Sequence, residues 1–371
     1  MVGAGVAQEA AAFLRLKMCP GLGDRRISSL VNEHGSGKAA LRAVRSQGHL
    51  FESEQSLPST DAWRTRGIQA VPMTSPDYPP ALLNLTDPPP LLFLKGRPAL
   101  LQGPAVAIVG ARRATEGGRD IAEALGRVLG SAGITVVSGM ARGIDGAAHR
   151  GALQAGGDTL AVLGAGLEVI YPRVHGALFK EVGRRGLLLS EFLPWETARP
   201  HHFPKRNRVI AALARAIVVV EAGERSGAFI TVDHGLDLGR EILAVPGSLR
   251  NPQARGTNAL IRDGARLLTS PEAILDELPE VATEAAARRG EGRAPDASPP
   301  GEESAPWLVP DGESAGGRLD SLWKALGPGP EVVDVLAERA GLTPAEALAG
   351  LSSLELLGRA TRCPGMRFRR G

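Results

Sequence analysis

Short runs that pair small residues with cations recur through the middle of the chain. They are Gly110-Ala111-Arg112-Arg113, Ser138-Gly139-Met140-Ala141-Arg142-Gly143, Arg173 after Tyr171-Pro172, Phe203-Pro204-Lys205-Arg206-Asn207-Arg208 and Ser226-Gly227-Ala228. Small residues let a phosphate approach the backbone, and arginine or lysine neutralises it. One such run fits a mononucleotide; several together fit a polyanionic chain. Phe203, set among polar and cationic neighbours, could stack a base. For an isolated phenylalanine, packing in a core is the plainer expectation.

Other chemistries fit the same residues poorly. The turn Gly110-Ala111-Arg112-Arg113-Ala114-Thr115 lacks the second and third glycines of GxGxxG, and arginines stand where a dinucleotide pyrophosphate needs bare backbone. Gly35-Ser36-Gly37-Lys38-Ala39 imitates a P-loop, but Asn32 and Ala39 replace its first glycine and its magnesium-binding hydroxyl. Asp145 and His149 lie one helical turn apart without a third ligand, so a helix-capping aspartate and a helix-surface histidine are expected rather than a metal or acid–base pair. Glu191 and Glu221 end strands and could serve as general bases or orient neighbouring arginines; nothing pairs either with a nucleophile. Cys19 and Cys363 stand at opposite ends of the chain, far from any zinc-site spacing. The expectation is a binding protein without catalysis, cofactor or metal.

The elements that must position these runs are legible as alternation. Ala105–Val109, Thr135–Ser138, Thr159–Leu163, Leu187–Ser190, Ile217–Val220 and Ile242–Val245 read as buried parallel strands. Amphipathic helices lie between them, for example Arg119–Leu129, with Ile121, Leu125, Val128 and Leu129 on one stripe. Repeated βα units predict an α/β fold, an extended Rossmann-like, doubly wound parallel sheet. Each cationic run then follows a strand, at the carboxyl edge where ligands bind such sheets.

Around this centre, roughly residues 70–280, the chain divides further. Residues 1–65 predict a small helical domain of helix-hairpin-helix or SAM-like type, with Pro20-Gly21-Leu22-Gly23 as its turn; such a turn can bring backbone amides to a DNA phosphate or can serve packing alone. Glu52–Thr60 reads as a break and residues 281–317 as a flexible linker. The net charge is only +3, so any nucleic-acid site must come from local clustering. Lysine supplies only six of the 43 basic residues, a bias that codon usage explains on average but not at particular positions. The chain shows neither a signal-peptide pattern nor an apolar run of membrane-spanning length, so a cytoplasmic location with no membrane partner is expected.

The motifs in order resemble the DNA-processing protein A (DprA/Smf) family. They begin with Tyr78-Pro79 and Pro89-Pro90-Leu91-Leu92-Phe93-Leu94-Lys95-Gly96, then Ala107-Ile108-Val109-Gly110-Ala111-Arg112 and Val137-Ser138-Gly139-Met140-Ala141-Arg142-Gly143-Ile144-Asp145. Phe203-Pro204-Lys205-Arg206-Asn207-Arg208, Ser226-Gly227-Ala228-Phe229-Ile230-Thr231, Val245-Pro246-Gly247 and Gly256-Thr257-Asn258 follow. One departure is Ala111, where the family usually has serine, which removes a hydroxyl from the first phosphate loop. The resemblance implies a protein that binds and protects incoming single-stranded DNA in natural transformation and loads the RecA recombinase onto it. It also implies a homodimer formed through the Rossmann domain. By matching motifs it assigns DNA contacts to Arg112, Arg173, Lys205 and the stretch Arg206–Arg208. Arg112 and Lys205 are expected in one strand-end groove; the alternative for Arg112 is an internal pair with Glu191 or Glu221.

Residues 318–371 look like a winged helix. Thr343-Pro344-Ala345-Glu346 is a capping box opening a helix with Leu348, Leu351, Leu354 and Leu357, and Arg359–Arg370 reads as a basic wing with Pro364-Gly365 at its turn. The helix is poor in base-reading residues (Glu346, Ser352, Ser353, Glu355), which argues against sequence readout. A duplex-DNA backbone contact and a protein contact both stay open. The competing function class is a nucleotide phosphoribohydrolase, a Rossmann enzyme with a PGGxGT-like turn and a following glutamate; here Ser226-Gly227-Ala228-Phe229-Ile230-Thr231 lacks the doubled glycine and is followed by Val232 and Asp233.

Overall fold

The structure, a computed structural model, describes residues 2–46, 63–290, 321–327, 329–356, 359–363 and 367–370. Three helices, α1 (Val2–Met18), α2 (Asp24–His34) and α3 (Gly37–Ser46), lead into β1 (Ile68–Pro72) and β2 (Leu91–Gly96). The chain then alternates through β3 (Ala105–Val109), α4 (Glu116–Ser131), β4 (Thr135–Ser138), α5 (Ile144–Gln154), β5 (Thr159–Val162), α6 (Gly176–Arg185) and β6 (Leu187–Ser190). It continues as α7 (His202–Leu213), β7 (Ala216–Val219), α8 (Ala228–Asp237), β8 (Glu241–Ala244), α9 (Arg255–Arg262), β9 (Arg266–Leu267) and α10 (Pro279–Gly290). The six strands read from the sequence are all present, with ends shifted by at most one residue.

Strand β3 shows how the layers arise. Its side chains alternate between faces. Ala105, Ala107 and Val109 pack with Val209 and Ile210 of α7 and Val232 of α8. Val106 and Ile108 pack with Leu125 and Leu129 of α4 and Ala147 of α5. All five are buried, so the strand carries helices on both faces, as an apolar run without polar alternation requires.

The nine strands lie in the order β1-β2-β6-β5-β4-β3-β7-β8-β9, and β3 through β9 pair in parallel. From β3 the chain winds outward to β6, then returns through α7 to place β7 on the other side of β3. The β3/β7 boundary is therefore the topological switch point, where diverging loops open a crevice at the carboxyl edge. β1 and β2 extend the sheet antiparallel beyond β6. Sequence reading missed both, because Pro72 ends one and a proline cluster precedes the other.

Two boundaries differ from expectation. The N-terminal helices are no separate body: Phe13, Leu16 and Ile27 share a core with Leu91, Phe93, Met140 and Leu188. Residues 1–294 accordingly form one compact unit and 295–371 a second. The expected linker also begins too early, since α10 buries Val281 and Ala285 against the sheet layer. The Glu52–Thr60 break and residues 291–317 lie outside the described residues.

The second unit carries β10 (Glu331–Val332), α11 (Val333–Ala340), α12 (Pro344–Leu356), β11 (Ala360–Cys363) and β12 (Arg367–Arg370). The strands pair in the order β10-β12-β11 over a core of Leu322, Leu336, Leu351, Leu354 and Phe368. Thr343 and Glu346 form the expected capping box: Glu346 N–H donates to Thr343 Oγ1 (3.3 Å) and Thr343 N–H to Glu346 Oε2 (3.0 Å). Leu357 and the Pro364-Gly365 turn lie outside the described residues.

Candidate nucleic-acid interface

The loop after β3 is held from below. A Cβ on Gly110 would stand 2.7 Å from Ile144 and 2.8 Å from the Glu221 carbonyl, so only glycine lets these chains cross. Ala111 N–H donates to Glu221 O (2.7 Å), and Ile144 N–H to Ala111 O (3.3 Å). The Glu221 carboxylate then accepts Thr115 N–H (2.8 Å), Thr115 Oγ1–H (2.6 Å) and an Asn251 amide hydrogen (3.2 Å). Thr115 Oγ1 in turn accepts Gly118 N–H at the start of α4 (3.0 Å). Glu221 is thus occupied by loop donors and, among the described residues, pairs with no arginine. Arg112 and Arg113 project outward and are exposed.

Facing them is the first turn of α7. The Arg112 guanidinium carbon lies 4.6 Å from the Phe203 ring centroid, and the Tyr171 ring lies 5.5 Å from Phe203, tilted by 40°. Tyr171 is 45% exposed, an aromatic face offered to solvent. Gly164 makes room beneath, since a Cβ there would come within 2.9 Å of the Phe203 ring. Two adjoining cavities, about 750 and 410 Å³, share Arg112, Arg113, Ala141, Tyr171 and Phe203, forming one continuous groove. Gly110, Asn207, Ser226 and Gly227 line its first part, Gly139 and Arg142 its second. Asn207 donates to Gly227 O (3.2 Å), joining α7 to the loop before α8.

The floor is a buried brace. Arg206 donates to Gly139 O (2.7 Å) and to Val162 O, and its guanidinium fills the space a side chain on Gly139 would need. Burial brings its pKa down to about 10 against the pull of Asp145. Asp145 accepts Gly139 N–H (3.1 Å) and Ala141 N–H (3.3 Å) through one oxygen. Burial pushes its pKa up, opposed by the Arg206 charge and these two amides. His149, expected on a helix surface, is fully buried and donates from Nδ1 to Thr159 Oγ1 (2.7 Å), whose own hydrogen goes to Val136 O. Burial drives its pKa down to about 3, so the ring is neutral. Among the described residues no cluster of three metal-ligating side chains occurs.

Four expected site residues do not face the groove. Lys205 turns to the N-terminal helices, 2.5 Å from Asp24 and 3.3 Å from Glu191. Arg208 is buried against Glu191 (2.6 Å), with Asp87 at 3.4 Å. The reason is helical phase: Phe203 and Asn207 lie one turn apart on the groove side, whereas Lys205 and Arg208 share another. The Ser138 hydroxyl donates to Ile108 O (2.6 Å) inside the sheet. Arg173 is exposed but lines neither cavity. The Pro20–Gly23 turn lines neither cavity, and Pro20, Gly21 and Gly23 are exposed at the surface. Asp24 beyond it takes Lys17 at 2.6 Å besides Lys205; burial opposes its ionisation, yet the two ammonium groups hold its pKa at about 2. At the P-loop look-alike, the Glu9 carboxylate already caps the amides of Gly37 and Lys38.

Sequence reasoning missed Tyr171 as a groove aromatic, Arg225 on the wall and Glu221 as the loop anchor. Tyr171 carried a signal, being one of only two tyrosines and next to a proline in a strand-end loop.

Comparison with known proteins settles the family. The model for DNA recombination-mediator protein A matches residues 69–279, and that for the DprA winged helix domain matches residues 310–366. The chain belongs to the DprA family. It is 37% identical over 337 residues to Protein Smf of Escherichia coli, covering 90% of this chain and 86% of that one. DNA processing protein A of Streptococcus pneumoniae superposes with TM-score 0.61 at 33% identity, over 71% of this chain and 96% of that one. The Helicobacter pylori protein, whose structure describes a single-stranded DNA binding mode, gives TM-score 0.53 at 28% identity, over 57% of this chain and 96% of that one. No described helix of this DprA-family chain is long and apolar enough to cross a membrane.

Proposed function

We propose that this DprA-family protein binds single-stranded DNA in the groove between the β3–α4 loop and α7, protects incoming DNA in natural transformation and hands it to RecA. The observation that carries the reading is the run Arg112–Phe203–Tyr171. It places a cation that has no ion pair among the described residues and two partly accessible rings along one groove, which suits a phosphate backbone with splayed bases. The single-stranded DNA binding described for the H. pylori relative supports it. Binding rather than catalysis follows from the use of the acids: Asp145 and Glu221 accept backbone amides, and Glu191 is held by Arg208 and Lys205.

A homodimer through the Rossmann unit belongs to the same reading. Leu236 on α8, Leu249 after β8 and Leu267 on the edge strand β9 are 61%, 86% and 44% exposed, large apolar side chains that a second copy would cover. A cytoplasmic location accompanies the RecA role.

Titration of labelled single strands of several sequences at rising salt tests the proposal. Binding indifferent to sequence, weakening by about 0.7 in log–log slope per neutralised phosphate, is expected. A flat salt response overturns it. RecA ATPase on pre-covered strands tests the handover, and release of base from nucleoside monophosphates would favour the hydrolase instead.

A further inference from the structure

The second unit separates its charges sharply. Residues 328–355 hold five acids (Glu331, Asp334, Glu338, Glu346 and Glu355) and one arginine, Arg339, which pairs with Glu331. Residues 356–371 hold five arginines and no acid. The helices are thus acidic and the hairpin basic within one small body.

Strand period decides where the arginines point. β12 buries Phe368 completely, so Arg367 and Arg369 share the opposite, solvent-facing side and are exposed. The register sets Cys363 opposite Arg367 and Thr361 opposite Arg369, so neither guanidinium faces a carboxylate across the sheet. Among the described residues no acid pairs with Arg367 or Arg369, and unpaired cations side by side on one face attract a polyanion.

The helix that would ordinarily enter a groove is unsuited to one. The Thr343–Glu346 capping box occupies the amides that open α12, and Glu346 and Glu355 are exposed where phosphates would pass.

We propose that the outer face of the β11–β12 hairpin, with Arg367 and Arg369 at its centre, docks on the phosphate backbone of duplex DNA, with α12 turned away. A duplex fits better than a single strand because the face offers no stacking ring. Phe368 is buried, and Trp323 is covered by the guanidiniums of Arg370 (4.2 Å) and Arg359 (4.7 Å). A single strand needs aromatic platforms, whereas a duplex presents its paired bases edge-on and its charge outward. Contact through phosphates alone carries no sequence information, so this surface holds duplex DNA without selecting it.

The test uses the full chain with labelled duplex and labelled single strand, titrated separately across salt. The double variant Arg367→Ala/Arg369→Ala is expected to lose duplex affinity on the order of tenfold and to shallow the duplex salt slope by about 1.8, two contacts at about 0.9 each. Single-strand affinity stays unchanged. Arg367→Lys/Arg369→Lys, which keeps both charges, retains most duplex binding and excludes a folding defect. Unchanged duplex affinity in the alanine variant overturns the proposal, and so does an equal loss on single strands. If the wild-type chain fails to bind single strands while the duplex result holds, the groove reading fails and this one stands.

Discussion

The β3–α4 loop and the first two turns of α7 both carry clustered cations, yet the fold uses them in opposite ways. In the loop, backbone amides and the Glu221 carboxylate hold the chain from below, and Arg112 and Arg113 are left facing solvent. In α7, Arg206, Lys205 and Arg208 are spent on carbonyls and carboxylates, and of these three cations only Arg206 reaches the groove, beside Phe203, Pro204 and Asn207. A cation in a recognition motif contacts a phosphate only where its counter-charge is not already supplied by the protein. Motif spelling does not distinguish the two cases; helical phase and the position of acids distant in sequence do.

The largest effect that would sharpen this contrast is on stability. Arg208→Ala leaves Glu191 buried beside a weaker partner, and a loss of roughly 3–5 kcal/mol in urea unfolding is expected, with little change in single-strand affinity per folded molecule. A marginal stability change with strong loss of binding would place Arg208 in the groove.

Phe203→Ala reverses the pattern. Removing one ring of the groove is expected to weaken single-strand binding by about 1–3 kcal/mol, read as the shift in the titration midpoint. An unaffected midpoint would return Phe203 to plain packing.

Much of the fold was legible because β3 to β8 are short, largely apolar runs, most of them with glycine close by, and their helices keep one stripe. β1 and β2 were not, since antiparallel pairing at a sheet edge leaves no long-range mark among the prolines around them. The groove loops were legible from glycine and arginine following each strand. The fate of Lys205 was not, because its partner Asp24 lies 181 residues earlier and belongs to helices read as a separate domain. His149 was misread for a related reason: its hydrogen-bond partner, Thr159, is on strand β5.

Lys205→Ala tests the docking of the N-terminal helices. Its side chain is 34% exposed, so a loss of only about 1 kcal/mol is expected, again by urea unfolding. A smaller signature is visible in acid. Asp24 has its pKa lowered from 3.8 to about 2, so the stability it supplies is full above the unfolded value and fades as pH falls from about 4 to about 2. In Asp24→Asn this part of the acid loss disappears; an unaltered acid profile would show that the two lysines do not act through Asp24.

The most direct test sets Arg112→Ala beside Lys205→Ala in single-strand titrations across salt. Arg112→Ala is expected to reduce the log–log salt slope by about 0.7 for every sequence tried, with unfolding free energy changed by no more than about 0.5 kcal/mol. Lys205→Ala is expected to leave the slope where it is in the wild-type protein. A slope that falls with Lys205→Ala and not with Arg112→Ala would contradict the assignment of the groove.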